Sequence, residues 1–130
     1  MLFKKITVVV LIILIPCMLY PQEGRVLSRV LKRGELRVGT TGNQPPFSVK
    51  TKDGDLIGYE IELATLLANA MNIKLTFVEM PFSELLPALE KSEIDIVMSG
   101  MTITPERNLK CAFIRPYIIS GTSILVKCIG

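Results

Sequence analysis

Histidine is absent from this chain of 130 residues, and cysteine is scarce, at three. The first absence removes the side chain that most often moves protons near neutral pH. The cysteines, Cys17, Cys111 and Cys128, show no metal-ligand spacing, so no metal or other cofactor is expected. There is no internal repeat and no low-complexity tract. The formal net charge is only +3. Setting aside Lys4 and Lys5, which belong to the N-terminal segment described next, leaves 13 basic against 12 acidic residues, a net charge of +1. No basic patch remains to argue for a nucleic-acid partner. The length suffices for one domain with a core of its own.

The one long apolar run is at the start. Residues 1–20 place Lys4 and Lys5 ahead of an almost unbroken apolar stretch from Ile6 to Ile15. This is a charged n-region and an h-region, the pattern of an export signal, with an uncleaved amphiphilic anchor as the alternative. The run is short for a membrane span. An extracytoplasmic location follows, with membrane contact only through this segment. Cys17 after Leu14-Ile15-Pro16 loosely resembles a lipoprotein processing box. Proline before the cysteine fits such a box poorly, so lipid anchoring at Cys17 is kept as the lesser reading. Cys111 and Cys128 are read as small buried apolar residues. A disulfide between them is the alternative in an oxidising compartment.

The stretch richest in chemistry is Ser99 to Arg107, which reads SGMTITPER. It follows the apolar run Ile94 to Met98, a strand by pattern. Gly100 lets the backbone leave that strand and lets a ligand approach closely. Thr104 before Pro105 is a helix start, threonine as cap and proline in first position. Such a turn gathers free backbone N–H groups at the positive end of a helix dipole. Arg107 adds a planar fork of donors suited to a carboxylate, and Thr102 adds a hydroxyl. The segment reads as an anion or carboxylate seat at the carboxyl end of a parallel strand. Any α/β turn can carry a Thr-Pro cap and a solvated arginine, so the segment alone leaves both readings open.

Around it, residues 21–34 form a lead-in in which Arg25 to Arg33 has helical spacing, a solvated basic face and Gly34 as its end. The body spans 35–130. Leu36 to Thr40 is a strand and Thr41 to Phe47 a loop by composition. Lys52 to Asp55 is a hairpin turn, and Leu56 to Tyr59 a short strand. Ile61, Ala64, Leu67, Ala68 and Met71 mark one face of a helix over Glu60 to Met71, stopped by a left-handed Asn72. Ile73 to Met80 alternates as a strand. Pro81-Phe82-Ser83 is a turn and cap, followed by a helix over Glu84 to Lys91 with Pro87 near its first turn. Phe113 to Tyr117 is a loop and Thr122 to Lys127 a last strand. Strands alternating with helices predict an α/β fold, a mostly parallel sheet with helices on both faces.

Five stretches carry a resemblance: LRVGTTGNQPPFS from Leu36, DGDLIGYEIELA from Asp53, FSELLPAL from Phe82, EIDIVMSGMTITPER from Glu93 and PYIISGTSILVK from Pro116. In order and spacing they resemble the extracellular solute-binding proteins of polar amino acid uptake, family 3, the receptors of ABC importers. The resemblance covers Leu31 to Lys127. It implies two α/β lobes closing around a cleft by hinge motion, with this chain most of the first lobe. It implies an amino acid ligand, a membrane permease as partner and no enzymatic activity. Residue by residue, it places Arg107 on the ligand α-carboxylate, and Thr102 and Gly100 as hydroxyl and backbone donors. Phe82 would stack on the ligand side chain, with a core place under the helix as the alternative. Gln44 stands where many members have an aromatic, which disfavours a purely apolar or guanidinium-stacking ligand; it can also be read as a plain loop residue. Thr41 stands where many have an acid. Tyr59 and Phe47 are assigned to packing.

Members of the family are about twice this long, since each lobe needs a domain's worth of chain. The sequence therefore leads us to expect a truncated or fragmentary receptor that ends at the first hinge strand and binds weakly, its ligand exposed to water. Two alternatives share the fold: a cyclohexadienyl dehydratase-like enzyme and an extracellular sensor input domain. Dehydration needs a placed general acid. The acids here fall mainly on turns and helix surfaces by pattern.

Overall fold

A computed structural model of the chain describes residues 24–121. The N-terminal segment, Cys17, Cys128 and the strand expected over Thr122 to Lys127 lie outside the described residues.

The first helix, α1, is Arg25–Arg33, and Gly34 ends it at φ +69°, its N–H bonded to the Val30 and Leu31 carbonyls. Of its apolar stripe only Val30 is buried; Val26, Leu27 and Leu31 are exposed. The helix is held instead by charge. Arg33 bonds Asp95, and Arg29 lies 3.7 Å from the same carboxylate. The basic face expected to be merely solvated is thus partly structural.

Strand β1, Glu35–Thr40, is the centre of a parallel sheet. Strand β2, Asn43–Gln44, lies in what composition marks as a loop. It pairs antiparallel with β3, Ser48–Lys50, which pairs through the expected turn with β4, Leu56–Ile57. Helix α2 is Tyr59–Ala70, and Asn72 is left-handed after it at φ +52°. Strand β5, Lys74–Glu79, pairs with all six residues of β1. Helix α3 is Phe82–Glu90. It begins two residues earlier than the sequence suggests, with Pro81 at the cap position and no side-chain cap bond, so Ser83 is not a cap. Pro81, with φ fixed by its ring, sets the entry, and its carbonyl accepts the Glu84 N–H. Pro87 lies inside the helix rather than near its start. Strand β6 is only Ile96–Val97, on the other side of β1. Helix α4, Pro105–Asn108, closes the described elements.

The sheet order is β5-β1-β6, all parallel. One face carries Leu36, Val38 and Met98 against Val30 of α1 and Ala64 and Ala68 of α2. Leu75 and Phe77 of β5 join this face, as the alternation predicts. The other face packs Leu85 and Ala88 of α3 on Ile94, with Val78 and Val97 alongside. Gly39 faces that layer, where a Cβ would overlap Ile94 and touch Leu85. The small antiparallel sheet joins the start of α2: the Tyr59 and Glu60 N–H groups donate to the Pro46 and Phe47 carbonyls at 3.2 and 3.0 Å. Gly58 makes the approach possible, at φ +130° and against the Phe47 carbonyl.

Asp95 fastens the sheet's amino-terminal side. Its side chain is 1% exposed. It accepts the Arg37 N–H at 2.9 Å and the Arg37 guanidinium at 3.4 Å, besides Arg33. Burial alone would raise its carboxyl pKa, but the Arg37 donors and the Arg33 charge hold it below the ordinary aspartate range. A depressed carboxyl stabilises the fold above its unfolded pKa of about 4 and loses that contribution as pH falls below it. Asp95→Asn should lower unfolding free energy by about 1–3 kcal/mol at neutral pH. The gap from the parent should narrow below about pH 4, as urea titrations at several pH values would read. Gly58→Ala should cost about 1–3 kcal/mol in the same assay, from a strained φ and a clash with backbone.

Candidate functional site

The parallel strands bring their carboxyl ends to one side. Thr41 follows β1, Phe82 follows β5 by way of Pro81, and Ser99 and Gly100 follow β6. The sequence-derived residues gather there in two groups on either side of the turn Ser99 to Thr104.

The first group is built on Arg107. Thr104 caps α4, its Oγ1 accepting the Arg107 N–H at 3.3 Å, with Pro105 in first position as expected. The Arg107 guanidinium donates to the Thr102 carbonyl at 2.9 Å and lies 5.4 Å from the centre of the Phe82 ring. A cation over an aromatic face is held without losing all its donors. Thr102 itself is exposed. Phe82, on the first turn of α3, is half-buried at the edge of the α3 layer, where it both packs on the core and meets Arg107. Helix α4 has only four residues. The positive charge at this turn is therefore that of the arginine rather than of a helix dipole, which needs several aligned turns.

The second group is built on Ser99, which is fully buried. Its hydroxyl donates to Gln44 Oε1 at 3.1 Å and lies 3.1 Å from Thr41 Oγ1. It also accepts the Thr41 N–H at 3.3 Å. A serine has one proton to give, so Gln44, whose oxygen can only accept, takes it and Thr41 becomes the donor. The Gln44 oxygen is thereby engaged, which leaves its amide nitrogen as the group with bonds to offer. Gly100, at φ +54°, sits so that a Cβ would come within 3.3 Å of Gln44 Oε1.

The Gly100 N–H is not free. It donates at 2.7 Å to Glu60 Oε1 in the first turn of α2. The Gly100 amide, expected to serve a ligand, is engaged here by an internal carboxylate. Glu60 is fully buried, and the same oxygen accepts the Tyr117 hydroxyl. Burial first, and then the bond to Glu60, push the Tyr117 phenol well above its usual range, so it remains a donor. Tyr59 is exposed and packs against Tyr117 with ring centres 6.0 Å apart, so its packing role is across the surface rather than in the core.

Glu60, Ser99 and Tyr117 are the residues that sequence reasoning missed. The signal for Glu60 was present. Glu60, Ala64 and Ala68 fall on one helical face, the buried one, so an acid stands in an apolar stripe. Leu67, expected in that stripe, is exposed. It lines an apolar groove of about 420 Å³ on the β6 side, with Leu63, Leu89, Met101, Ile114 and Tyr117. The groove is separate from Arg107. Cys111 is half-buried with its S–H directed at the Arg107 carbonyl, 3.4 Å away, and burial raises its thiol pKa.

Known proteins resemble this chain in sequence and in fold. The L-cystine-binding protein TcyJ of Escherichia coli (strain K12) is 39% identical over 108 residues, covering 83% of this chain and 40% of that protein. The cyclohexadienyl dehydratase of Pseudomonas aeruginosa is 36% identical over 110 residues, covering 85% of this chain and 41% of the enzyme. Among solved structures, the arginine-bound form of domain 1 from TmArgBP of T. maritima superposes with a TM-score of 0.66 at 38% identity, covering 68% of this chain and 71% of that one. The chain spans about 40% of the length of TcyJ and of the dehydratase. Its architecture is that of the periplasmic-binding-protein fold, a partial domain in which helices flank a parallel sheet. Residues 36–128 match the bacterial extracellular solute-binding proteins, family 3, and the chain belongs to that family.

Proposed function

We propose that this chain is an amino-acid-binding lobe of an extracytoplasmic receptor, with Arg107 receiving the ligand α-carboxylate. The observation that carries the reading is the Arg107 guanidinium, held over Phe82 and steadied by the Thr102 carbonyl at the carboxyl end of a parallel sheet. Thr102 adds a hydroxyl, Phe82 a surface for the ligand side chain, and Gln44 an amide donor. Thr41 acts through Ser99. Gly100 contributes the close backbone approach, its N–H being taken by Glu60. Delivery to the permease of an ABC importer is the transport role that this family membership suggests.

The arginine-bound domain 1 of TmArgBP, 38% identical, supports ligand binding by the lobe described here. A second reading, dehydration of a prephenate-type acid, draws on the 36% identity to the cyclohexadienyl dehydratase. Against it, Glu60, the acid bonded to this turn, is buried and already accepts two hydrogen bonds. It is poorly placed to give a proton to a substrate.

Calorimetric titration of the whole chain with L-arginine, L-cystine and L-histidine tests the first reading. At least one should bind, and Arg107→Ala should weaken it about a hundredfold or more, with little change in thermal unfolding because the side chain is at the surface. Arg107→Lys should recover only part, lacking the planar fork. Equal affinity in Arg107→Ala would overturn the assignment. Incubation with prephenate should yield no aromatic product; turnover would shift the reading to the enzyme.

A further inference from the structure

We infer that Glu60 is a positioning residue for this site: its buried carboxylate clamps the Gly100 turn to the Tyr117 segment and so fixes where Thr102 and Arg107 stand. The inference rests on the binding role proposed for Arg107, but its structural half can be tested without a ligand.

The turn that carries the site has little else to fix it. Strand β6 contributes only Ile96 and Val97 to the sheet ladder. The Met98 N–H still reaches the Gly39 carbonyl at 3.0 Å, and Ser99 is held through its hydroxyl. At Gly100 the fixing bond is the one to Glu60. Two residues on, the Thr102 carbonyl steadies the Arg107 guanidinium. A shift at Gly100 is therefore carried to the arginine through a very short length of chain. Tyr117 comes back from beyond α4 to the same Glu60 oxygen, so one atom gathers both ends of the segment that holds Arg107.

Glu60 is itself held by its surroundings. Its N–H donates to the Phe47 carbonyl, and Ile61, Ala64 and Ala68 bury the helix beneath it. The N-terminus of the twelve-residue α2 favours a negative charge there. Its second oxygen, Oε2, is buried with no hydrogen-bond partner among the described residues. A buried carboxylate with a spare oxygen is costly if only packing is served. A charged acceptor makes bonds roughly twice as strong as a neutral one, which is what a two-donor clamp needs. Glutamine in this place would present a weaker acceptor and an amide nitrogen where Oε2 lacks a partner.

The experiment uses the whole chain labelled with 15N-glycine, as parent, Glu60→Gln and Tyr117→Phe. In Glu60→Gln the Gly100 amide proton should move upfield, its charged acceptor gone. In Tyr117→Phe it should also move, since the hydroxyl that shares the Glu60 oxygen and stands beside the Gly100 amide is gone. L-arginine, or whichever of the three amino acids binds the parent, should bind Glu60→Gln about tenfold more weakly while the folded spectrum is kept. An unmoved Gly100 amide in a folded Glu60→Gln overturns the clamp. If that variant does not fold, an unmoved amide in Tyr117→Phe overturns it instead. A moved amide with unchanged affinity overturns the link to Arg107. If the parent binds none of the three, the binding reading fails, and the link to Arg107 with it, while the amide shifts still decide the clamp.

Discussion

The described part of this protein depends on how a very short strand is kept in place. Strand β6 has two ladder residues, too few to hold themselves against a central strand by backbone bonds alone. Carboxylates pin the segment on both sides. Before β6, Asp95 gathers Arg33 and Arg37 and ties α1 to the sheet. After β6, Glu60 takes the Gly100 N–H and ties α2 to the turn. The two differ in character. Asp95 is surrounded by guanidinium groups and is held ionised by them. Glu60 faces neutral donors, a backbone amide and a phenol.

This arrangement explains why the site can sit on irregular chain and still be defined. Loops carry function when a rigid scaffold aims them. Here β1 supplies the scaffold, paired on both sides and packed on both faces. Thr41 leaves it directly, and Ser99 reaches across to Thr41 and Gln44. The small antiparallel sheet positions Gln44, and Gly58 lets that sheet lie against the start of α2 where Glu60 begins its helix. A glycine, two carboxylates and a serine thus set the positions of the arginine and the glutamine.

Much of this was legible in the chain order. The periodicities of Glu60 to Met71 and Ile73 to Met80 mark α2 and β5 within a residue or two, and Gly34, Asn72 and the Thr104-Pro105 pair mark the end of α1, the end of α2 and the start of α4. Local signals of this kind are written in neighbouring residues, so they survive without knowledge of the fold. The errors have the opposite cause. Strand β2 looked like loop because Asn43 and Gln44 have no strand propensity; their pairing with Val49 and Ser48 decided it. The basic face of α1 looked merely solvated, yet Arg29 and Arg33 reach Asp95, more than sixty residues away, and only Val30 of the helix is buried.

The same division runs through the site. The sequence alone determined the α/β order, the family and the candidate set around Arg107, because motif spacing and helix-cap chemistry are local. Only the tertiary structure decided which of those groups are free to act. It gave the Gly100 amide to Glu60, the Gln44 oxygen to Ser99 and the Arg107 guanidinium to a place over Phe82. Each of those contacts joins residues between 25 and 55 positions apart. A hydrogen-bond donor or acceptor is available only if no distant partner has taken it, and no local pattern records that.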